Sequence, residues 1–192
     1  MKLYLFRHGQ TEWALSGQHT GKTDIPLTPQ GEAEARAWVP FVQKIKFDHV
    51  FSSPRQRALS TCRLVGLTPE IEPDLAEWDY GDYEGLRSAE IKAQRPGWNI
   101  FHDGCPHGEM PDQIAARADR LVSRLSPLQG NVALFSHGHF GRVFSMRWIG
   151  LPIEQGQHFQ LGTAALNILG HDPSHPDVST VALWNLTPDL LA

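Results

Sequence analysis

Leu3-Tyr4-Leu5-Phe6-Arg7-His8-Gly9-Gln10-Thr11-Glu12-Trp13 carries four apolar residues that stop abruptly at an arginine, a histidine and a glycine. A short apolar run closed by a turn residue is the pattern of a buried strand, although four residues alone do not separate a strand from a buried helix. As a strand of an open α/β sheet it would leave Arg7 and His8 at its carboxyl end, where such sheets bind ligands. Taken alone, the segment reads more simply as a surface turn with Gly9 as the stop. The rest of the chain reverses that reading.

Outward from this stretch the theme recurs twice. Phe47-Asp48-His49-Val50-Phe51-Ser52-Ser53-Pro54 is an apolar strand ending at small hydroxyl residues, followed by a helix over 55–66 with Ser53 as its cap and Arg57 on its first turn. Asn131-Val132-Ala133-Leu134-Phe135-Ser136-His137-Gly138 is a third strand, ending in Ser-His-Gly ahead of a helix over 140–151. The stretch 11–22 is aperiodic, broken by Gly17 and Gly21, and reads as a loop on the ligand side. Thr28 and Pro29 form an N-cap and first helical residue, and Ala33, Ala35, Trp38, Val39, Phe41 and Val42 mark the apolar side, with Pro40 as its kink or end. Ile114, Ala118, Leu121, Val122 and Leu125 keep helical spacing across Pro111–Leu125. The segments 164–170 and 180–186 read as strands, and the connection between them is too short for a helical crossover, so the pair is antiparallel. Strand–helix alternation gives an α/β sandwich with a mainly parallel sheet.

The length of 192 residues fits one domain spanning 1–192, with a small lid or insertion at about 78–110, and 41% apolar residues suffice for a core. The formal net charge of -4 gives no electrostatic footprint for nucleic acid or an acidic membrane surface. An anion site must therefore be a local gathering of cations. Cys62 and Cys105 are too few for a disulfide framework and fit a reducing cytoplasm. No run reaches the length of a membrane span, and Arg7 interrupts any signal-peptide core. The oligomeric state, a homo-oligomer included, is left open.

If the three strands are neighbours, Arg7, His8, Arg57 and His137 meet on one edge of the sheet. Gathering cations in an acidic protein is costly unless an anion is bound, and guanidinium forks match phosphate oxygens. Backbone N–H groups at the helix starts after Pro54 and Gly138, and at Thr20 and Gly21, are candidate further donors. Nearby cations favour a neutral histidine, the form able to attack phosphorus, and its other ring nitrogen needs an acceptor such as a backbone carbonyl. The leaving alkoxide needs an acid, and a carboxyl group beside Trp78 and apolar neighbours would be suited to that task. Glu77, Asp79, Asp82 and Glu84 are all candidates, just as Arg55 competes with Arg57 for the inward position.

Arg7-His8-Gly9 with Thr11 and Glu12 resembles the signature of the histidine phosphatase superfamily, the phosphoglycerate mutase-like proteins. The match continues through Gly21, Asp24-Ile25-Pro26-Leu27-Thr28, Gly31, Ser52-Ser53-Pro54, Arg57-Ala58, Thr61, Glu77 with Gly81, and Ser136-His137-Gly138. Ser16-Gly17-Gln18-His19-Thr20-Gly21, the run from Glu77 to Gly85, Trp98-Asn99-Ile100 and His137-Gly138-His139 with Arg142 further resemble the fungal sedoheptulose-1,7-bisphosphatase group. The resemblance implies a three-layer α/β/α sandwich and a phosphatase working on a small sugar phosphate or bisphosphate. His8 would be the phosphorylated nucleophile, with Arg7, Arg57 and His137 on the phosphoryl group, Glu77 as proton donor, and no metal or other cofactor. Ser16, Thr20, Gly21, Tyr80, His102 and His139 would be substrate contacts, with His102, His107 and His139 available to a second phosphate. Trp13, Trp78, Tyr80, Tyr83 and Trp98 read first as core or lid packing. His137 and His139 do not form a metal site, because alternate positions at a strand–helix turn diverge. A bisphosphoglycerate-dependent mutase and a protein phosphatase are the alternatives. Against a mutase, Ala14 and His139 stand where the mutases carry phosphate-contacting asparagines, and the insertion before the second histidine is short.

Overall fold

In the computed structural model residues 1–191 are described, while Ala192, the last residue of the expected domain, lies outside the described residues. The first half runs β1 (Lys2–Arg7), α1 (Glu12–Ser16), α2 (Pro29–Arg36), α3 (Val39–Val42), β2 (His49–Ser52), α4 (Gln56–Leu64) and β3 (Glu70–Ile71). The second half runs α5 (Ser88–Gln94), α6 (Ile100–Asp103), α7 (Pro111–Leu125), β4 (Asn131–Ser136), α8 (Gly138–Trp148), β5 (Leu166–His171) and β6 (Ser179–Leu186), with short 3-10 turns between.

Successive strand side chains point to opposite faces, and this alternation builds the layers. Leu3 and Leu5 of β1 join Val132 and Leu134 of β4 in one core, covered by Ile114, Ala118 and Leu121 of α7 and Phe140, Val143 and Phe144 of α8. Tyr4 and Phe6 join Ala133 and Phe135 in the other, covered by Trp38, Val42, Ala58 and Cys62. The rings of Phe6 and Phe135 stack at 4.9 Å between centroids, both without exposed surface. Burial of one such side chain stabilises the fold by roughly 1.5–3 kcal/mol. The result is the expected three-layer α/β/α sandwich.

The sheet order is β3-β2-β4-β1-β5-β6. β1, β2, β3 and β4 are mutually parallel, and β5 and β6 form the antiparallel edge. Pairing of Arg7 with Ser136 and of Ser52 with Phe135 brings three carboxyl ends to one level. The ladder runs one bond further on each side, from His8 N–H to Ser136 O at 3.0 Å and from Ser53 N–H to Phe135 O at 2.9 Å. The chain passes from β1 to β2 and later returns to insert β4 between them, so the site lies where the connections diverge.

Several local expectations are corrected. The loop expected over 11–22 begins with α1, capped by the Thr11 hydroxyl, which accepts from Ala14 N–H at 3.1 Å. Pro40 is not the break; α2 ends at Arg36 and Pro40 sits in the first turn of α3, where its missing N–H costs nothing. Arg55, not Ser53, is the N-cap residue of α4. The helix expected over 140–151 also shifts, to Gly138–Trp148. α5 was invisible because it buries Ile91 alone, leaving no apolar period to read.

The turn after β1 is locked by backbone approach. A Cβ on Gly31 would lie 2.2 Å from Gln10 O, and one on Gly9 would lie 2.3 Å from Gly31 O. Thr28 N–H donates to Gln10 O at 2.9 Å and Gly9 N–H to the Thr61 hydroxyl at 3.1 Å, so α2 and α4 together grip the residue next to His8. Gly31→Ala is expected to cost about 1–3 kcal/mol by forcing this contact apart. An unchanged urea-unfolding midpoint would contradict the contact.

Candidate active site

β1 delivers Arg7 and His8, β4 delivers His137, and α4 delivers Arg57. The rings of His8 and His137 lie 5.2 Å apart between centroids. His8 Nδ1 meets Gly9 O at 2.7 Å. A carbonyl only accepts, so Nδ1 carries the proton and Nε2 keeps its lone pair. Burial first, then Arg57 and Arg7, hold the His8 pKa well below the usual imidazole range. The ring is neutral and nucleophilic at neutral pH.

Arg57 is fully buried. It donates to Thr23 O at 2.9 Å, Thr20 O at 2.9 Å and Gly21 O at 3.0 Å, and its Nε donates to His137 Nδ1 at 3.2 Å. An arginine has no acceptor, so His137 Nδ1 accepts and its Nε2–H donates to the Ser53 hydroxyl at 2.7 Å. Ser53 therefore serves the histidine, while its hydroxyl also accepts from Arg55 N–H at 3.3 Å at the start of α4. Burial and the charges of Arg57, His8 and Arg7 hold His137 well below its ordinary pKa as well. Of the two candidate arginines, Arg57 has no exposed surface and bonds His137 and the 20–23 carbonyls, whereas Arg55 is half-buried.

A cavity of about 170 Å³ opens over these strand ends, with Arg7, His8, Thr20, Glu77, Tyr80, His139 and Arg142 on its wall. Arg7 Nη1 donates to Leu161 O at 2.5 Å, and its Nε is buried with no hydrogen-bond partner among the described residues. Arg142 donates to Gly138 O at 3.3 Å and lies over the Phe101 ring at 5.4 Å. No carboxylate pairs with it among the described residues. His137 and Arg57 are not among the residues that line this cavity; they lie next to His8, which is. A larger cavity of about 590 Å³, lined by Gln30, Glu34, Thr163 and Asp189 among others, shows carboxylates and no cation among its described lining residues.

Glu77 is the carboxylate that reaches the cavity wall, and it is 8% exposed. Its Oε1 accepts from Trp78 N–H at 2.9 Å and Phe140 N–H at 2.7 Å, and its Oε2 from His139 N–H at 3.0 Å. The apolar surround expected for the acid is thus corrected: backbone N–H groups at the start of α8 meet it. Asp79 pairs with Lys22 at 2.7 Å, Asp82 with His107 at 2.8 Å, and Glu84 takes Gly21 N–H at 2.9 Å and Thr23 N–H at 2.9 Å. The other helix start is filled likewise, Gln56 N–H donating to Asp24 at 2.8 Å. Of the amides expected to hold an external anion, those of Gly21, Gln56, His139 and Phe140 are therefore occupied by protein carboxylates.

Other expected contacts divide. Thr20, Tyr80 and His139 are on the wall, with the Tyr80 hydroxyl 2.7 Å from His139 Nδ1. Ser16 is exposed and its hydroxyl bonds Gln18 Oε1 at 2.6 Å; Gly21 has its N–H on Glu84; His102 is exposed on α6 and off the wall. His19 and Arg142 joined the sequence reading only as parts of a motif, because their place depends on distant partners. His19 stacks on Tyr80 at 4.7 Å, and burial pushes its pKa down to about 4. Among the described residues no cluster of His, Cys, Asp or Glu is arranged to hold a metal, and no helix is long and apolar enough to cross a membrane.

A doubly wound sheet holding two neutral imidazoles and buried guanidiniums over an anion-sized cavity defines an α/β phosphoryl-site class. The chain belongs to the histidine phosphatase superfamily (branch 1), whose family model matches residues 3–185. It is 41% identical to an acid phosphatase of Mycobacterium tuberculosis, over 89% of this chain and 87% of that protein. It is 37% identical to the sedoheptulose 1,7-bisphosphatase of Saccharomyces cerevisiae, over 79% of this chain and 68% of that one. A solved structure of an open reading frame product from Mycobacterium tuberculosis superposes with a TM-score of 0.92 at 38% identity, covering 97% of this chain and 98% of the other.

His8, His19, His137 and His139 all have lowered pKa values, with burial the first cause. Above the unfolded value of about 6.5 these groups are neutral in both states and contribute no pH dependence. Below it the unfolded chain takes up protons that the native chain refuses, so stability falls as pH drops from about 6.5 toward 4, by up to about 1.4 kcal/mol per pH unit for each group. Urea unfolding from pH 7.5 to 4.5 measures this, and a flat profile would contradict the buried neutral rings.

Proposed function

We propose that this chain is a phosphomonoesterase that transfers the phosphoryl group of a small phosphorylated metabolite to His8 and then hydrolyses it. The observation that carries the reading is the His8 ring itself: Nδ1–H tied to Gly9 O, Nε2 free, beside a cavity edged by Arg7 and Arg142. Nε2 attacks phosphorus in line, the phosphorus–oxygen bond to the leaving group breaks, and Glu77 gives that oxygen its proton. Water then attacks the phosphohistidine, giving its proton back to Glu77 and releasing phosphate and neutral His8. Arg7, with its unpartnered Nε, and Arg142 match the phosphoryl oxygens. Arg57 and His137 supply charge and orientation from behind, as dry electrostatic stabilisation. No step is assigned to a metal or other cofactor.

A second chamber of about 190 Å³ adjoins the first and shares His19, His139 and Arg142 with it; Ser88, Lys92, Trp98, Asn99 and Gln157 complete much of its wall. Two cations, several hydroxyl and amide groups and aromatic faces suit a polyol or sugar bearing a further anionic group. This supports a sugar phosphate or bisphosphate substrate, as the relatives' names do. The wall drawn from the 78–110 segment suits small molecules better than a phosphoprotein. Ala14 on the first cavity's wall offers no polar hold for the bisphosphorylated intermediate that a mutase must retain. The free buried thiols of Cys62 and Cys105 fit a cytoplasmic setting.

A panel of phosphate esters, assayed for phosphate release with and without chelator and against phosphoglycerate isomerisation, tests the reading. Phosphate release insensitive to chelator is expected; isomerisation without release would overturn it. His8→Ala is expected to abolish turnover while inorganic phosphate still binds. Arg142→Ala is expected to raise KM for a sugar bisphosphate about 10-fold or more, the worth of one charged hydrogen bond, and an unchanged KM would remove Arg142 from substrate binding.

A further inference from the structure

Arg117 lies on α7, away from the cavity wall, yet its guanidinium holds three carbonyls of the segment that carries Glu77. Nη1 donates to Asp74 O at 2.8 Å and to Ala76 O at 2.7 Å, and Nη2 to Glu77 O at 3.3 Å. Nε and Nη2 also fork onto the Glu109 carboxylate at 2.8 and 2.7 Å. Glu109 passes this grip onward: its carboxylate accepts from Asp79 N–H at 2.9 Å, its N–H donates to Asp79 O at 2.9 Å, and its carbonyl accepts from Trp78 Nε1 at 2.9 Å. The residues on both sides of Glu77 are thus held by one ion pair. Arg117 is 9% exposed and its guanidinium lies 4.4 Å from the centroid of the Phe140 ring. Phe140 N–H is in turn a donor to the Glu77 carboxylate, at 2.7 Å. One side chain therefore touches the backbone of the acid from below and the helix turn that receives its carboxylate from the side.

Surface packing explains none of this specificity. Three carbonyls converging on a buried guanidinium need a planar fork with donors in fixed directions, which a lysine does not supply. Burying the charge is costly, and Glu109 compensates it without reaching the cavity itself.

We propose that Arg117, braced by Glu109, is a positioning residue that sets the height and direction of the Glu77 carboxyl group over the cavity, so that proton delivery to the leaving oxygen depends on it. The proposal rests on Glu77 being the acid. Its signature is a dependence on the leaving group. An alkyl phosphate leaves as a strongly basic alkoxide and needs the proton, whereas p-nitrophenyl phosphate leaves as a weakly basic phenolate and does not.

The test compares kcat/KM for an alkyl phosphate and for p-nitrophenyl phosphate in the full chain and in Glu77→Gln, Arg117→Lys and Glu109→Gln, with inorganic phosphate affinity and thermal midpoint measured on each. Glu77→Gln is expected to lose about 10²-fold or more on the alkyl ester, the usual contribution of a general acid, and much less on the nitrophenyl ester. Arg117→Lys is expected to show the same selectivity, losing on the order of 10–10² on the alkyl ester, as for a misplaced catalytic group, with phosphate affinity unchanged. Glu109→Gln should lose less, in the same direction, and decides the matter if Arg117→Lys does not fold. Equal losses on both esters in the Arg117 and Glu109 variants, with Glu77→Gln selective, would overturn the positioning role and leave the acid assignment standing. A Glu77→Gln variant with no selectivity would remove the acid assignment and the proposal with it.

Discussion

A fully charged guanidinium with no exposed surface sits beneath the strand ends, and the surrounding structure is arranged to accommodate it. Burial disfavours the charge of Arg57, and the site meets that cost with three carbonyls from the 20–23 loop and one imidazole nitrogen. Those partners are drawn from far along the chain, so the loop after α1, the start of α4 and the end of β4 are brought into a single arrangement. Burial first, and then this charge, lower the pKa values of His8 and His137 and keep both rings neutral.

Carboxylates complete the arrangement from the other side. Glu84 takes the amides of the loop whose carbonyls Arg57 holds, so that loop is gripped through both kinds of backbone group. Asp24 and Glu77 sit at the N-terminal turns of α4 and α8, where helix dipoles favour negative charge. With those amides occupied, Arg7 and Arg142 at the cavity are the side chains proposed to meet an external anion. Glu77 is presented on a turn that Arg117 and Glu109 tie to α7. Glu77, the proposed acid, is thus located by the helical layer, while His8, the proposed nucleophile, is located by the sheet.

Much of this was legible in the residues. Alternation in Leu3-Tyr4-Leu5-Phe6 and in Val132-Ala133-Leu134-Phe135 encodes a strand feeding two cores, and the abrupt change at Arg7 and at His137 marks the ligand edge. The helix Pro111–Leu125 is legible to its observed ends because a long apolar period with a proline at its first position is a strong local signal. Short elements escaped: α1 is five residues, β3 is two and wholly exposed, and α5 rests on one buried isoleucine. None buries enough apolar surface in a regular pattern to leave a trace.

By itself the sequence determined the chemistry on offer and the edge on which it would gather: two histidines, the arginines and a nearby run of carboxylates at the ends of parallel strands. Periodicity and turn chemistry are local, so these could be read from neighbours along the chain. Tertiary structure alone decided that Arg57 rather than Arg55 turns inward, and that Glu77 rather than Asp79, Asp82 or Glu84 faces the cavity. It also decided that Ser16, Gly21 and His102 bond elsewhere or face solvent. Each of those outcomes turns on a partner distant in sequence, such as Thr20, Glu84 or Phe140, whose approach is set by packing and the need to satisfy buried polar groups.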